Sequence, residues 1–121
     1  MNTVTISGNL TDELVLRFTS DGQPVTNGTI AADRSVRRNG EWHTVTDGFF
    51  NFSIFGKIAE HATESLTQGS LVTVTGRLTQ DSWEADDGTT RRAVKIVAND
   101  IAKSLRYGDE HRSDQTDPAA Q

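Results

Sequence analysis

The stretch Phe49-Phe50-Asn51-Phe52-Ser53-Ile54-Phe55 gathers four of the five phenylalanines of this chain into seven residues. Side chains on a strand alternate between its two faces. The even positions Phe50, Phe52 and Ile54 form a continuous apolar row that belongs in a core. The odd positions then point outward, which sets Phe49 and Phe55 on a face otherwise made polar by Asn51 and Ser53. An outward aromatic ring is costly to hydrate and is retained for contact. That contact is a ligand, or else the helix or a subunit interface beneath which either ring packs.

Two hairpin signals repeat the theme. With Asn39-Gly40 at the two turn positions, Arg38 faces Glu41 and Arg37 faces Trp42. With Asp87-Gly88 in a second turn, Asp86 faces Thr89 and Trp83 faces Arg92. Each arm thus sets a tryptophan beside a guanidinium, with Arg34, Arg38 and Arg91 close by. Flat rings flanked by cations suit a flexible polyanion whose bases stack while its phosphates follow the charges. Cross-strand Trp–Arg packing that only stabilises a hairpin is the simpler alternative for either arm alone. The two arms together with the outward Phe pair favour binding.

Other chemistries find little support. His43, His61 and His111 have no mutual spacing for a metal site, and the chain has no cysteine. Phe55-Gly56-Lys57 lacks the earlier glycine of a phosphate loop. Asp86-Asp87 is a carboxylate pair in a turn, where acids serve local hydrogen bonds; a hydrolase built on it is a remote reading. No catalytic residue, cofactor or metal is expected.

The elements that must position these rings read mostly at period two. Thr3 to Ser7 alternates polar and apolar, and Leu14, Leu16 and Phe18 resume the pattern, so the first strand is expected to bend near Gly8 and continue. Ser20-Asp21-Gly22-Gln23-Pro24 is turn chemistry. A second strand runs from about Val25 to Val36 and a third from Trp42 to Phe55. Lys57–Leu66 instead puts Ile58, Ala59, Ala62 and Leu66 on one helical stripe, with Gly69 placed to end the helix. Leu71 to Trp83 and Thr90 to Ile101 complete five strands. Three strands, a helix and two strands is the element order of an all-β OB-fold, a five-stranded Greek-key barrel with its helix between strands 3 and 4. A small open-sheet α+β domain has a similar pattern.

The 121 residues suffice for one core, here residues 1–107. Net charge is −5, but the body holds 11 Lys/Arg against 13 Asp/Glu, while residues 108–121 hold one Arg and four acids. The near-neutral body leaves room for a basic face; the short acidic tail is expected to be disordered. No apolar run reaches the roughly 18 residues of a membrane span, and the N-terminus has no signal-like cluster. A cytoplasmic protein with no membrane partner is expected. Barrel edges that need covering and little apolar mass point to association between copies of the chain.

Several blocks together resemble bacterial single-stranded DNA-binding proteins: Val4–Leu10, Leu16–Thr19, Ile54–Glu60, Leu66–Ser70 and Val74–Leu78. The spacing holds over about residues 1–107, and Ser104-Leu105-Arg106-Tyr107 is similar to the actinobacterial branch. The resemblance implies an OB-fold homo-oligomer, usually a tetramer, that coats and protects single-stranded DNA in replication, recombination or repair without chemistry, at the nucleoid. It sets Phe49, Phe55 and Trp83 at base-stacking positions; a fourth, a Trp in well-studied members, corresponds to Val36, for which Trp42 is a substitute nearby. The family's acidic tip closes with Pro-Phe and docks replication enzymes, whereas Asp114–Gln121 contains no aromatic. Docking by that route is not expected; an auxiliary paralogue and a shortened chain both fit that tail. A protein-interaction subunit of OB type with weak or no DNA binding is the rival reading.

Overall fold

The computed structural model describes residues 1–106. The expected disorder of 108–121 therefore lies outside the described residues. The strands are β1 (Val4–Leu10), β2 (Arg17–Phe18), β3 (Pro24–Arg38), β4 (Glu41–Phe55), β5 (Leu71–Glu84) and β6 (Thr90–Lys103), with one helix, α1 (Lys57–Ser65), between β4 and β5. The sheet runs β1-β5-β6-β4-β3, and β1 pairs again with β3 to close a five-stranded barrel; the two-residue β2 lies outside β3. All barrel pairings are antiparallel except β4 with β6.

Closure depends on β1 changing partners. Val4 to Asn9 pairs with β5, while Asn9 and Leu10 pair with Ala31 and Ile30 of β3. Gly8 makes the bend possible, since a Cβ there would come within 2.5 Å of the Ala31 carbonyl oxygen. The chain then leaves the sheet after Leu10 and rejoins β3 only at Arg17 and Phe18, opposite Val25 and Pro24. The bend at Gly8 is as expected, but the strand does not continue through Leu14 and Leu16: β1 ends at Leu10 and β2 is a separate two-residue strand. Thr26, fully buried, holds the intervening loop by donating its hydroxyl to the Val15 carbonyl at 3.0 Å. Leu14 and Leu16 pack on the core as the alternation demands, whereas Phe18 is 63% exposed.

Leu10, Ile30, Phe52, Ile54, Val72, Val74 and Ile96 fill the barrel, and Ala59 and Ala62 of α1 join them with Leu66 just beyond its end. Burying a side chain the size of Phe52 contributes about 1.5–3 kcal/mol. α1 begins at Gly56, whose positive φ of 91° turns the chain out of β4 and whose carbonyl accepts from Ala59 N–H at 2.9 Å. It ends earlier than the glycine pattern implies. Leu66 is already extended, and Gly69 uses its φ of 92° in the following turn, closed by Ser70 N–H to the Thr67 carbonyl. The reason is packing: Leu66 must drop into the core, which breaks the helical path before Gly69 is reached. Among the described residues, no helix is long and apolar enough to cross a membrane.

Candidate nucleic-acid interface

The outer face of β3 and β4 is a set of cross-strand pairs: Val25 with Phe55, Asn27 with Ser53, Thr29 with Asn51, Ala31 with Phe49. Phe52 and Ile54 are sealed in the core, while Phe49 is 67% and Phe55 40% exposed. The outward assignment of both rings therefore holds, and neither packs under α1. Ser53 departs from the alternation, being only 3% exposed; its hydroxyl donates to Asn27 Oδ1 at 2.5 Å, so its polarity is satisfied within the sheet.

The β3–β4 hairpin has the expected turn. Asn39 and Gly40 both have positive φ, 51° and 79°, and the register sets Arg37 opposite Trp42 and Arg38 opposite Glu41. The Arg37 guanidinium lies 5.7 Å from the centre of the Trp42 ring, within cation–π range. Trp42 is an even position and Phe49 an odd one, so simple alternation would put them on opposite faces. A bulge resolves this: Ala32 pairs with Gly48 and Asp33 with Thr46, leaving Asp47 as the extra residue. Beyond it the parity of β4 is reversed, and Trp42 joins the face of Phe49 and Phe55. Arg34 is bonded to that bulge, its Nε donating to Asp47 Oδ1 at 2.7 Å. Arg34 thus has a structural partner, and by register it and Arg38 sit on the reverse face of the hairpin.

The β5–β6 hairpin differs from the sequence expectation by one residue. Asp87 has an ordinary negative φ, and of the pair only Gly88 is positive, at 84°. Ala85 accepts from Gly88 N–H at 2.9 Å and donates to the Thr89 carbonyl at 2.8 Å, enclosing three residues instead of two. Asp87 favours this loop: its Oδ1 accepts from the Thr89 N–H at 3.0 Å and hydroxyl at 2.6 Å. These bonds, with a lesser contribution from Arg91, hold the Asp87 carboxyl below its ordinary value near 3.8. The consequence is that Trp83 faces Arg91, and Arg92 faces Ser82 on the opposite side. Arg91 also reaches Asp87 Oδ2 at 3.4 Å.

The parallel β4–β6 pairing brings the two hairpins onto one surface. Asn51 lies beside Lys95, which lies opposite Thr79; two and four residues back along β6 come Ala93 and then Arg91, the latter opposite Trp83. Trp83 is 50% and Trp42 67% exposed. One face therefore carries Trp42, Phe49, Phe55 and Trp83 together with the cations Arg37, Arg91 and Lys95. Arg17, opposite Val25 in the row that contains Phe55, adds a fourth cation. Lys95 is not legible from the sequence because no aromatic neighbours it; the Thr-Arg-Arg-Ala-Val-Lys alternation of β6 is the available clue. Arg17 adjoins Phe18 but lies outside both hairpins and the Phe-rich strand, and only its pairing with Val25 brings it to this face. Val36 pairs with His43 on the reverse face.

The fold and this surface define an OB barrel with a strip of exposed aromatic rings and cations along one outer wall. The chain belongs to the single-strand binding protein family, whose model matches residues 1–104. It is 44% identical over 107 residues to a single-stranded DNA-binding protein of Mycobacterium leprae, covering 87% of this chain and 64% of the relative. A Thermotoga maritima protein of the same description is 39% identical over 98 residues, covering 81% of this chain and 70% of the relative. The chain thus spans somewhat less than two thirds of the length of the mycobacterial relative. In structure it is similar to a small single-stranded DNA-binding protein from Streptomyces coelicolor, with a TM-score of 0.77 and 26% identity over 89% of this chain and all of that one.

Proposed function

We propose that this protein binds single-stranded DNA in a sequence-tolerant way, stacking bases on Phe49, Phe55, Trp83 and Trp42 while Arg37, Arg91, Lys95 and Arg17 follow the phosphates. The observation that carries the reading is the common face: a bulge and a parallel strand pairing bring rings from two strands, β4 and β5, to one wall beside unburied cations. Family membership supports it, as do the names of the relatives. Arg34, Arg38 and Arg92, on the reverse faces of the hairpins, contact a strand only where it wraps around their tips. The protein acts as a coat in replication, recombination or repair, in the cytoplasm at the nucleoid, and performs no catalysis.

Titration with oligo-dT tests this directly. Tryptophan fluorescence is expected to be quenched on binding, and log affinity to fall with log salt at about −0.7 per neutralised phosphate. A salt-independent affinity, or none, overturns the proposal. The protein further associates with itself, as a tetramer; light scattering that finds a monomer at micromolar concentration excludes this. The rival, an OB-type protein-interaction subunit, draws on Val36, a residue that cannot stack, where the resemblance implies a fourth ring, and on the net charge of −5. A gel shift with single- against double-stranded DNA separates the two.

A further inference from the structure

Phe49 and Phe55 are six residues apart on one strand, or about 20 Å. A DNA strand stacked on both must cross the polar ground between them. That ground is a concavity of about 310 Å³, lined in part by Asn27, Thr29, Asn51, Lys95, Asp12 and Glu13. Its size is at the lower end of ligand pockets.

Its hydrogen-bonding groups are arranged by sign. Asn51 Oδ1 accepts the Thr29 hydroxyl at 2.7 Å, and Asn27 Oδ1 accepts the Ser53 hydroxyl. Both amide oxygens are thereby engaged, and the two NH2 groups, with the Lys95 ammonium, are left as donors. Across from them stand the carboxylates of Asp12 and Glu13, on the loop leaving β1. That loop is fixed in place: Thr11 N–H donates to the Thr29 carbonyl at 3.0 Å, Gln68 Nε2 donates to the Thr11 carbonyl at 3.0 Å, and Glu13 accepts from the Gln68 N–H. Thr11 donates its hydroxyl to Asp12 Oδ2 at 3.0 Å. Each carboxylate has only one oxygen engaged among the described residues.

Two carboxylates against one ammonium make this concavity unfavourable for phosphate, so a crossing strand turns its bases inward and its backbone outward. We infer that the concavity between Phe49 and Phe55 is a nucleobase-edge site selecting bases that carry both a ring carbonyl and an exocyclic amine, cytosine or guanine. The carbonyl accepts from the amides and Lys95, and the amine donates to Asp12 or Glu13. Thymine and uracil lack the amine and adenine lacks the carbonyl, so each leaves one side of the site unpaired. The inference rests on the proposed DNA binding and adds a base preference to it.

Oligo-dC and oligo-dU of equal length isolate this term, because the bases differ in the amine at position 4 and the associated ring proton. Fluorescence titration of the full chain is expected to show oligo-dC binding roughly three- to tenfold tighter than oligo-dU. In Asp12→Asn combined with Glu13→Gln, which keeps the side-chain shapes, that margin is expected to collapse. Equal affinities in the parent protein, or a margin that survives in the double variant, overturn the base-edge site while leaving DNA binding standing. Failure to bind either oligonucleotide overturns the underlying reading as well. Should the double variant fold poorly, the single variants Asp12→Asn and Glu13→Gln test one carboxylate at a time, and a margin unchanged in both overturns the site.

Discussion

The two long hairpins carry the same pair of residue types, a tryptophan opposite an arginine, on different turns. In the β3–β4 arm both turn residues have positive φ, two residues make the turn, and Arg37 lies against the Trp42 ring. In the β5–β6 arm the Asp87 side chain takes over the bonds to Thr89, the loop encloses a third residue, and the opposite arginine is Arg91 instead of Arg92. Arg91 is drawn toward Asp87, and among the described residues no cation lies over the Trp83 ring. A turn dipeptide therefore predicts a hairpin more securely than it predicts register. A one-residue change in register decides which arginine shares a face with the ring.

The largest consequence concerns the rings. Phe55→Ala and Trp83→Ala are each expected to weaken oligo-dT binding by about 1–3 kcal/mol. Trp42→Ala should fall at the lower end, because Arg37 already occupies space by its ring; a Trp42 effect exceeding that of Trp83 contradicts the comparison. Next come the turns themselves. Asn39→Ala places a Cβ residue without a local hydrogen-bonding side chain at φ 51° and should cost about 1 kcal/mol in chemical denaturation. Asp86→Ala, at an exposed position with ordinary φ, should stay within about 0.5 kcal/mol; equal losses would show that the two turns are alike.

Smaller effects distinguish the arginines. Arg91→Ala should reduce the salt slope of oligo-dT binding by about 0.7, the loss of one phosphate contact. Arg92→Ala, on the opposite side of the arm, should change it less, and the reverse order would refute the register. The smallest effect is on pH. The Asp87 carboxyl is depressed by its bonds to Thr89, so its stabilising contribution is complete above the unfolded value near 3.8 and is lost as pH falls through the lower folded value. In Trp42→Phe, where Trp83 is the sole tryptophan, the fluorescence should therefore respond to acid only below about pH 3.8. A transition between pH 5 and 7 would assign the loop's stability to another group.

Much of the barrel could be read from local pattern. The alternation of Phe49 to Phe55 separates core from surface correctly because it needs only the strand period and one buried face. The stripe Ile58, Ala59, Ala62 and Leu66 likewise suffices for the helix. Asn39-Gly40 specifies its own turn, since its backbone preference and the strand twist agree. By contrast, Ser53 is buried on the outward row and Phe18 exposed on an apolar repeat, and both outcomes depend on what neighbouring strands cover.

What the sequence determined by itself is a set of strands, a helix and the residue types that can stack and neutralise charge, because strand and helix periods are properties of consecutive residues. Which of those residues share a wall was decided by the tertiary structure. Asp47 is a bulge only because β3 and β4 pair as they do, and that extra residue brings Trp42 around to Phe49. Lys95 meets Asn51 only through the parallel pairing of strands some forty residues apart, which no local period encodes.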